Sequence, residues 1–327
     1  MITRASPRIF ITSADSPMGE SLTRMLADMA NSRPHLKVQV DAAVMLRDHS
    51  LHNINANVFV LNPVHNPNLS AMLEGVSKLC LVLDPLAPYL DRKTIIEHAN
   101  SYIQAARKAR VEHIVLLTPF APNDPATPPT TPIEEPFPEV TFRSIFLQIE
   151  ADLRMERNVT FLRYPGLQHQ HFALLSRPLA SGWIPRGTHT IQLHDRENVA
   201  LAACVVLLCP RVRGPEFTIT GPSLLTAEEL VERVGALLGQ RTERDVQFEA
   251  VVRGAIEHKE TAEFLMELWS EGEARLTRDF EELTGEEGRS LQEYLETHRE
   301  LFLGGDEVVL APGPRMERVG IFCSMNA

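Results

Sequence analysis

Apolar, strand-like runs alternate with helix-like segments through the first half of this chain of 327 residues. The runs are short and continuous, as expected of buried strands, and they lie at 9–12, 38–45, 58–61, 79–83 and 113–117. Segments with helical period separate several of them, for example 18–29 and 94–109. Short buried strands joined by helices form a parallel sheet that is covered on both faces. The pattern therefore predicts a doubly wound α/β fold.

The first predicted strand runs through a tight turn into an amphipathic helix, which is where dinucleotide-binding proteins place a glycine-rich phosphate loop. In the spacing G-x-x-G-x-x-G, the three positions of this turn hold Ser13, Ser16 and Gly19. Ser13 is compatible with such a turn if its backbone is extended. The side chain of Ser16 would point toward the phosphates, so it is the more serious departure.

Two further residues of the turn change its chemistry. Asp15 places a negative charge near a dianionic ligand, which is unfavourable at short range in a partly buried site. Pro17 lacks an N–H group, but it lies in the first turn of the helix, where this costs little. The helix N-terminus still attracts an anion. The sequence thus predicts an NADP(H) site at Ser13, Ser16, Met18 and Gly19. Its affinity for the cofactor is either weakened or lost.

Arg47 follows the second predicted strand and is a candidate contact for the 2′-phosphate of NADP. The planar guanidinium suits a phosphate group, so this position favours NADP over NAD. The alternative is a solvated arginine that pairs with the neighbouring Asp48.

Composition and charge exclude some classes of protein. The formal net charge of -11 argues against a nucleic-acid-binding surface, which needs a concentrated basic face. No apolar run reaches the length of a membrane span, and no long apolar leader opens the chain. We therefore expect a cytoplasmic protein that has a small-molecule substrate and neither a membrane nor a nucleic-acid partner. A homo-oligomer or a protein partner remains open.

The expected organisation is a dinucleotide-binding domain over 1–165 and a substrate-binding, mostly helical part over 166–327. Strands within 190–222 would complete the sheet of the first domain. Residues 119–138 contain eight prolines, so they form neither a helix nor a central strand. They are either a loop that covers the substrate or a disordered excursion.

Several motifs together resemble a known family. They are Glu74-Gly-Val-Ser-Lys-Leu, the run from Ala105 to Thr118, Asp195-Arg-Glu-Asn-Val-Ala200 and Phe217-Thr-Ile-Thr-Gly-Pro. In this order they are similar to the NmrA-like branch of the atypical short-chain dehydrogenases/reductases, including the fungal festuclavine/agroclavine dehydrogenase group. The resemblance implies a Rossmann fold, an NAD(P) site and a small-molecule pocket beside a smaller C-terminal part.

The wider superfamily uses a Tyr-x-x-x-Lys pair for catalysis, often with a glutamate four residues after the lysine. Counted back from Glu150, those two positions hold Phe142 and Phe146. Phenylalanine neither donates a proton nor lowers the pKa of a neighbour. Ordinary ketone or alcohol chemistry is therefore not expected. Reduction of an iminium or a conjugated electrophile remains possible, since it requires a positioned hydride donor and little proton transfer from the protein.

Three residues are the candidate catalytic groups. Thr118 ends the fifth predicted strand near the place of the superfamily's catalytic Ser/Thr, and its alternative role is a loop cap. Tyr164 and His169 lie in the segment that replaces the family's Arg-Pro run, which leads to the nicotinamide and substrate region. His169 or His171 is a candidate acid or base near neutral pH, or merely a histidine that lines the pocket. No third ligand accompanies this pair at a metal-binding spacing.

Three functions remain open. The first is an NADP-dependent reductase of a small specialised metabolite. The second is a redox-silent cyclase or isomerase with His169, Tyr164 or Thr118 as acid or base. The third is a non-catalytic regulator that senses dinucleotides or binds a partner protein.

Overall fold

The computed structural model describes residues 6–122, 140–156, 158–175, 183–186, 190–209, 212, 215–238, 244–270 and 275–302. The chain divides into two compact units. The first comprises Met1–Thr118, Asp124–Arg163 and Ala200–Phe217, and the second comprises Pro119–Asn123, Tyr164–Val199 and Thr218–Ala327. Residues 123–139, most of the proline-rich segment, lie outside the described residues.

In chain order the strands are β1 (Arg8–Ile11), β2 (Gln39–Val44), β3 (Asn57–Val60), β4 (Val76–Leu81), β5 (His113–Thr118), β6 (Val159–Arg163), β7 (Leu167–Gln168), β8 (Trp183–Arg186), β9 (Thr190–His194), β10 (Glu216–Thr218), β11 (Leu224–Thr226) and β12 (Arg244–Gln247). The helices are α1 (Pro17–Ser32), α2 (Leu69–Met72), α3 (Arg92–Ala109), α4 (Phe142–Leu153), α5 (His169–Leu174), α6 (Arg196–Leu208), α7 (Ala227–Leu238), α8 (Phe248–Ala255), α9 (Lys259–Trp269), α10 (Asp279–Thr284), α11 (Leu291–Thr297) and α12 (Arg299–Phe302).

The first unit is built on a seven-stranded sheet with the order β10-β6-β5-β4-β1-β2-β3. Strands β1 to β6 pair in parallel throughout. The strand order reverses between β1 and β4, and this reversal marks the crevice where doubly wound folds bind their ligands. The predicted doubly wound α/β fold is therefore confirmed, and the predicted strands and helices of the first half are found within about three residues of their expected ends.

Local sequence explains where the main helices begin and end. Asp91 accepts a hydrogen bond from the Thr94 N–H and so caps the start of α3, and Arg110 ends this helix in the left-handed conformation. Thr141 caps α4 in the same way through the Ser144 N–H. The strands between these helices are almost wholly buried, as expected for a sheet covered on both faces.

The outer edge of the sheet is held by a network of ion pairs. The guanidinium of Arg163, at the end of β6, lies 2.6 Å from one oxygen of Glu150 and 2.8 Å from Glu216 on β10. Arg154 lies 2.5 Å from the other oxygen of Glu216. Arg163 and Glu150 are both buried, so each charge depends on its partner. The network therefore fixes β10, which comes from late in the chain, beside β6.

The second unit contains two small sheets, β11-β9-β7 and β12-β8, together with α5, the first residues of α6 and helices α7 to α12. Thr226 and Glu229 form a capping box at the start of α7, since each residue's side chain accepts from the backbone N–H of the other. A second capping box, Ser290 with Glu293, begins α11. None of the helices in the described ranges is long and apolar enough to cross a membrane.

Candidate functional site

The turn between β1 and α1 lies at the switch point of the sheet. The Thr12 hydroxyl both donates to the Val82 carbonyl and accepts from the Val82 N–H, at 2.8 Å each, so the ends of β1 and β4 are held together. Ser13 has φ +44°, in the left-handed region. The extended backbone that would make Ser13 compatible with a phosphate loop is therefore not found, and a non-glycine residue here carries a cost of about 1–2 kcal/mol.

Gly19 is required by this turn. A Cβ atom at this position would lie 2.1 Å from the backbone oxygen of Ser13, so a side chain cannot be accommodated unless the backbone moves. The close approach of helix and turn that a phosphate loop needs is thus preserved at the last of the three glycine positions.

Ser16 and Pro17 act as helix-starting residues. The buried Ser16 hydroxyl accepts a hydrogen bond of 3.1 Å from the Gly19 N–H, and Pro17 is the first residue of α1. This is a normal N-cap followed by proline at the first helical position. The Ser16 side chain therefore takes one of the N–H groups that a bound phosphate would use.

Asp84 occupies another of these N–H groups. Its carboxylate accepts a hydrogen bond of 2.9 Å from the Met18 N–H and another of 3.0 Å from the Leu86 N–H. Asp84 is 5% exposed, so the contact is largely shielded from water. Pro17 has no N–H, and the Met18 N–H donates to Asp84. The positive end of the α1 dipole therefore faces a carboxylate of the same chain.

Asp15 is docked on the backbone after β2. One carboxylate oxygen accepts hydrogen bonds from the N–H groups of Met45 and Leu46, at 2.9 and 2.8 Å, and the other accepts from the Tyr89 hydroxyl. Burial, together with the charge of Asp15, raises the pKa of Tyr89, which keeps this hydroxyl protonated. The Asp15 charge is therefore satisfied inside the loop, but it adds a second carboxylate to the region that a dinucleotide would enter.

Arg47 lies just beyond β2 and is exposed. Among the described residues its guanidinium makes no ion pair, and the alternative pairing with Asp48 is not observed. Arg47 thus remains the candidate contact for a 2′-phosphate.

Phe142 and Phe146 stand on α4 and are both fully buried. The Arg92 guanidinium lies 4.3 Å from the centre of the Phe142 ring, a cation–π contact. Glu150, from which the two positions were counted, holds Arg163 in the edge network. Phe142 and Phe146 thus contribute packing, and Glu150 contributes an ion pair. Neither phenylalanine is an acid or a base.

Thr118 ends β5, and the register of the sheet places it opposite Arg163. It is 1% exposed. Its position at the carboxyl end of a central strand is where such folds place ligand-contacting residues.

Tyr164 and His169 belong to the second unit. His169 is part of one group of buried polar side chains, and Tyr164 lies against that group. We define the buried polar cluster as His169, His171, His194, Asp195, Arg196 and Tyr294, all of which are buried. The ring of Tyr164 meets that of His194 edge-on at 5.6 Å, and the ring of His169 lies 5.5 Å from that of Tyr294. The structure thus brings these two predicted residues to the same cluster.

Asp195 is the centre of the cluster. One oxygen accepts from the Gln170 side chain at 2.9 Å and from the Glu197 N–H at 2.8 Å. The other lies 3.0 Å from the Arg289 guanidinium and 3.7 Å from Nδ1 of His169. Burial opposes ionisation of Asp195, but the contacts with His169, Arg289 and Gln170 outweigh it and lower the pKa of this carboxyl. Asp195 is therefore a carboxylate at neutral pH.

The histidines of the cluster are neutral. Burial lowers the pKa of His169, and Asp195 only partly opposes this. Burial lowers the pKa of His194 to about 3 and that of His171 well below its usual range. Nδ1 of the neutral His169 lies near the Asp195 carboxylate but beyond hydrogen-bonding distance, so His169 is a candidate base that a small movement of either side chain would bring into contact with Asp195. Across the described ranges, no group of three or more His, Cys, Asp or Glu side chains is placed to hold a metal ion.

Sequence reasoning missed Asp84, Asp195, Arg289 and Tyr294. Asp84 carried a usable signal because it follows β4, the strand that lies beside β1 in a doubly wound sheet. Asp195 carried a weaker one, since it stands between a strand and a helix. Arg289 and Tyr294 gave none, because only the tertiary fold brings α11 to His169.

Comparison with known proteins reveals similarity in structure alone. No protein-family model and no curated protein sequence matches the chain. A nucleoside-diphosphate-sugar epimerase from Staphylococcus aureus superposes with a TM-score of 0.70 at 16% identity, over 88% of this chain and 99% of that one. The Citrobacter triphenylmethane reductase complexed with NADP(H) gives 0.69 at 20% identity, over the same 88% and 99%. The Escherichia coli NADPH-dependent quinone oxidoreductase complexed with NADPH gives 0.69 at 18% identity, again over 88% and 99%. The chain thus has the Rossmann-like fold found in NAD(P)-dependent epimerases and reductases.

Proposed function

We propose that this protein is an NADP(H)-dependent oxidoreductase, of the NmrA-like kind, that acts on a small specialised metabolite without a Tyr/Lys pair. The observation that carries the proposal is the strand–turn–helix at the switch point of the sheet, where Gly19 keeps the close approach of a phosphate loop. Two neighbours of the same fold support it: a triphenylmethane reductase complexed with NADP(H) and an NADPH-dependent quinone oxidoreductase complexed with NADPH. Arg47, exposed beyond β2, has the chemistry to bind a 2′-phosphate.

The cofactor fits this site only in part. The turn and Arg47 suit it, whereas Pro17 has no N–H and the Met18 N–H is bound to Asp84. A pyrophosphate at this helix must therefore displace the Asp84 carboxylate. When bound, NADP(H) supplies a hydride. The residues of the chain would orient the dinucleotide through α1 and Arg47, and Phe142 and Phe146 would offer no proton. The expected substrate is an iminium or a conjugated electrophile.

Titration of the purified protein with NADPH and NADP⁺ by calorimetry tests this function. We expect binding in the micromolar to millimolar range, followed by oxidation of NADPH with a panel of iminium and quinone electrophiles. Arg47→Ala should weaken NADPH at least tenfold while leaving NADH unchanged, because only NADPH carries the 2′-phosphate. Equal losses for the two cofactors would remove Arg47 from the site. Binding without any turnover would favour a dinucleotide-sensing regulator.

A redox-silent enzyme on the same fold is the second candidate, and the Asp84–Met18 contact favours it. The N–H groups of Met18 and Gly19 already donate to Asp84 and Ser16, so they are satisfied without a dinucleotide phosphate. His169, near Asp195 in the second unit, would then act as the base, with Tyr164 of the same unit as a polar contact. No binding of NADPH at millimolar concentration, together with conversion of a substrate that is lost in His169→Gln, would establish this alternative.

A further inference from the structure

The buried polar cluster of the second unit contains polar atoms that the protein itself leaves without hydrogen bonds. Within the described ranges they are Nε of Arg196, Nε2 of His171, both ring nitrogens of His194, Nδ1 of His169, Oδ2 of Asp195 and the hydroxyl of Tyr294. Three neighbouring amide side chains, Gln168, Gln192 and Asn198, each add one such atom. Native proteins pair nearly all buried polar atoms, so a concentration of this kind calls for an occupant.

Most of these atoms are hydrogen-bond donors. Nδ1 of His171 accepts from the Gln168 N–H at 3.1 Å, so the neutral ring carries its hydrogen on Nε2. The oxygen of the Gln192 amide faces the Arg275 N–H at 3.4 Å, which leaves its NH₂ group unpaired. Nε of Arg196 is always a donor. Against these stand two clear acceptors, the side-chain oxygen of Gln168 and Oδ2 of Asp195, and the second already lies 3.0 Å from the Arg289 guanidinium. The missing partner is therefore rich in acceptors.

The charges of the cluster point the same way. Asp195 is neutralised by Arg289 at 3.0 Å. The histidines are neutral, since burial lowers their pKa values. Nε of Arg196 lies 3.9 Å from the nearest oxygen of Glu197, beyond hydrogen-bonding distance. Arg196 and Glu197 thus form a distant ion pair without a hydrogen bond, so Nε of Arg196 keeps its donor for an incoming acceptor.

We propose that the buried polar cluster binds a small molecule through a carboxylate group, with Arg196 and His171 as its principal donors. The inference deepens the proposed function, since it names a substrate class for the cluster that contains His169. It rests on that function only for the identification of the ligand as a substrate. Buried water is the competing occupant, but water donates as readily as it accepts and has no preference for a site with excess donors.

Thermal unfolding of the full chain without NADPH tests the proposal. The probes are acetate, benzoate and phenylacetate, each compared with its neutral amide at pH 7. At least one carboxylate should raise Tm in a concentration-dependent way, and its amide should have a clearly smaller effect. Arg196→Gln should weaken that carboxylate about tenfold or more. Arg253→Gln is the matched control, because Arg253 is exposed on α8 and pairs with Glu249 alone among the described residues.

A second measurement needs no variant. In ¹⁵N spectra of the histidine rings, the binding carboxylate should shift the His171 resonances, while those of the exposed His35 stay in place. The proposal is overturned if carboxylates and amides raise Tm equally, if neither does, or if Arg196→Gln binds as the natural protein does. It is also overturned if the His171 resonances do not move. Because NADPH is absent throughout, failure of the reductase function alone would leave these results unchanged.

Discussion

Asp84 competes with a dinucleotide for the first turn of α1, and removing its carboxylate should tighten the binding of NADPH. The contact that must be broken is the 2.9 Å hydrogen bond between the Met18 N–H and the Asp84 carboxylate. A hydrogen bond to a charged group contributes about 1.5–3 kcal/mol. With 1.4 kcal/mol for each factor of ten, this internal competition weakens the dinucleotide by about 10- to 100-fold. Repulsion between the carboxylate and the pyrophosphate acts in the same direction.

The assay is calorimetric titration of NADPH into Asp84→Ala and the unchanged protein, with circular dichroism to establish that both are folded. We expect the Kd of Asp84→Ala to fall by about 10- to 100-fold. Asp91→Ala is the matched control, because Asp91 also accepts from a helix N-terminal N–H, that of Thr94 at 2.7 Å, but at the start of α3. The reasoning is refuted if Asp84→Ala binds NADPH no more tightly than the unchanged protein, or if Asp91→Ala tightens it equally.

Three further predictions concern stability. Gly19→Ala should lower the free energy of unfolding by about 1–3 kcal/mol in urea, since its Cβ would lie 2.1 Å from the Ser13 oxygen; an unchanged midpoint would contradict the tight turn. Glu150→Gln should cost about 3–5 kcal/mol because Arg163 loses a buried partner at 2.6 Å, and a loss below about 1 kcal/mol would show that Glu216 suffices. The pKa of His194 in the folded protein is about 3, below its unfolded value. The contribution of neutral His194 to the free energy of unfolding is therefore complete above about pH 6.5 and is lost as the pH falls. Between pH 7 and 5 this amounts to about 2 kcal/mol, and His194→Gln should flatten the measured pH dependence by that amount.

The sheet of the first unit could be predicted from the sequence because its strands are short, apolar and separated by helices. Burial on both faces makes each strand visible in the chain as a continuous apolar run. The end of β4 was predicted two residues too late, since Val82 and Leu83 are as apolar and buried as the strand itself. Pairing, and not hydrophobicity, decides where a strand stops.

The chemistry of the loop could be predicted less well. The sequence identified Ser16 as a departure from glycine, but its hydroxyl caps α1 at the Gly19 N–H, a local role that suits serine at a helix start. The partner of Met18 is 66 residues away in the chain, so its identity depends on the strand order of the folded sheet. In the second unit, His169 could be selected from its residue type alone. The charged partners that act on its pKa, Asp195 and Arg289, come from two other segments of the chain and required the structure.

The ion pairs between Arg163 and Glu216 have a consequence for how the chain acquires its structure during synthesis. The sheet of the first unit needs β10, which the ribosome delivers only after residues 164–199 have emerged. Until then Arg163 lacks one of its two carboxylate partners, and Lys78 lacks the Val206 carbonyl that its ammonium group contacts at 2.8 Å. A fragment that stops at residue 165 would therefore carry an incomplete sheet edge with poorly compensated cations. Expression of the first unit alone requires a linker that joins residues near 163 directly to those near 200.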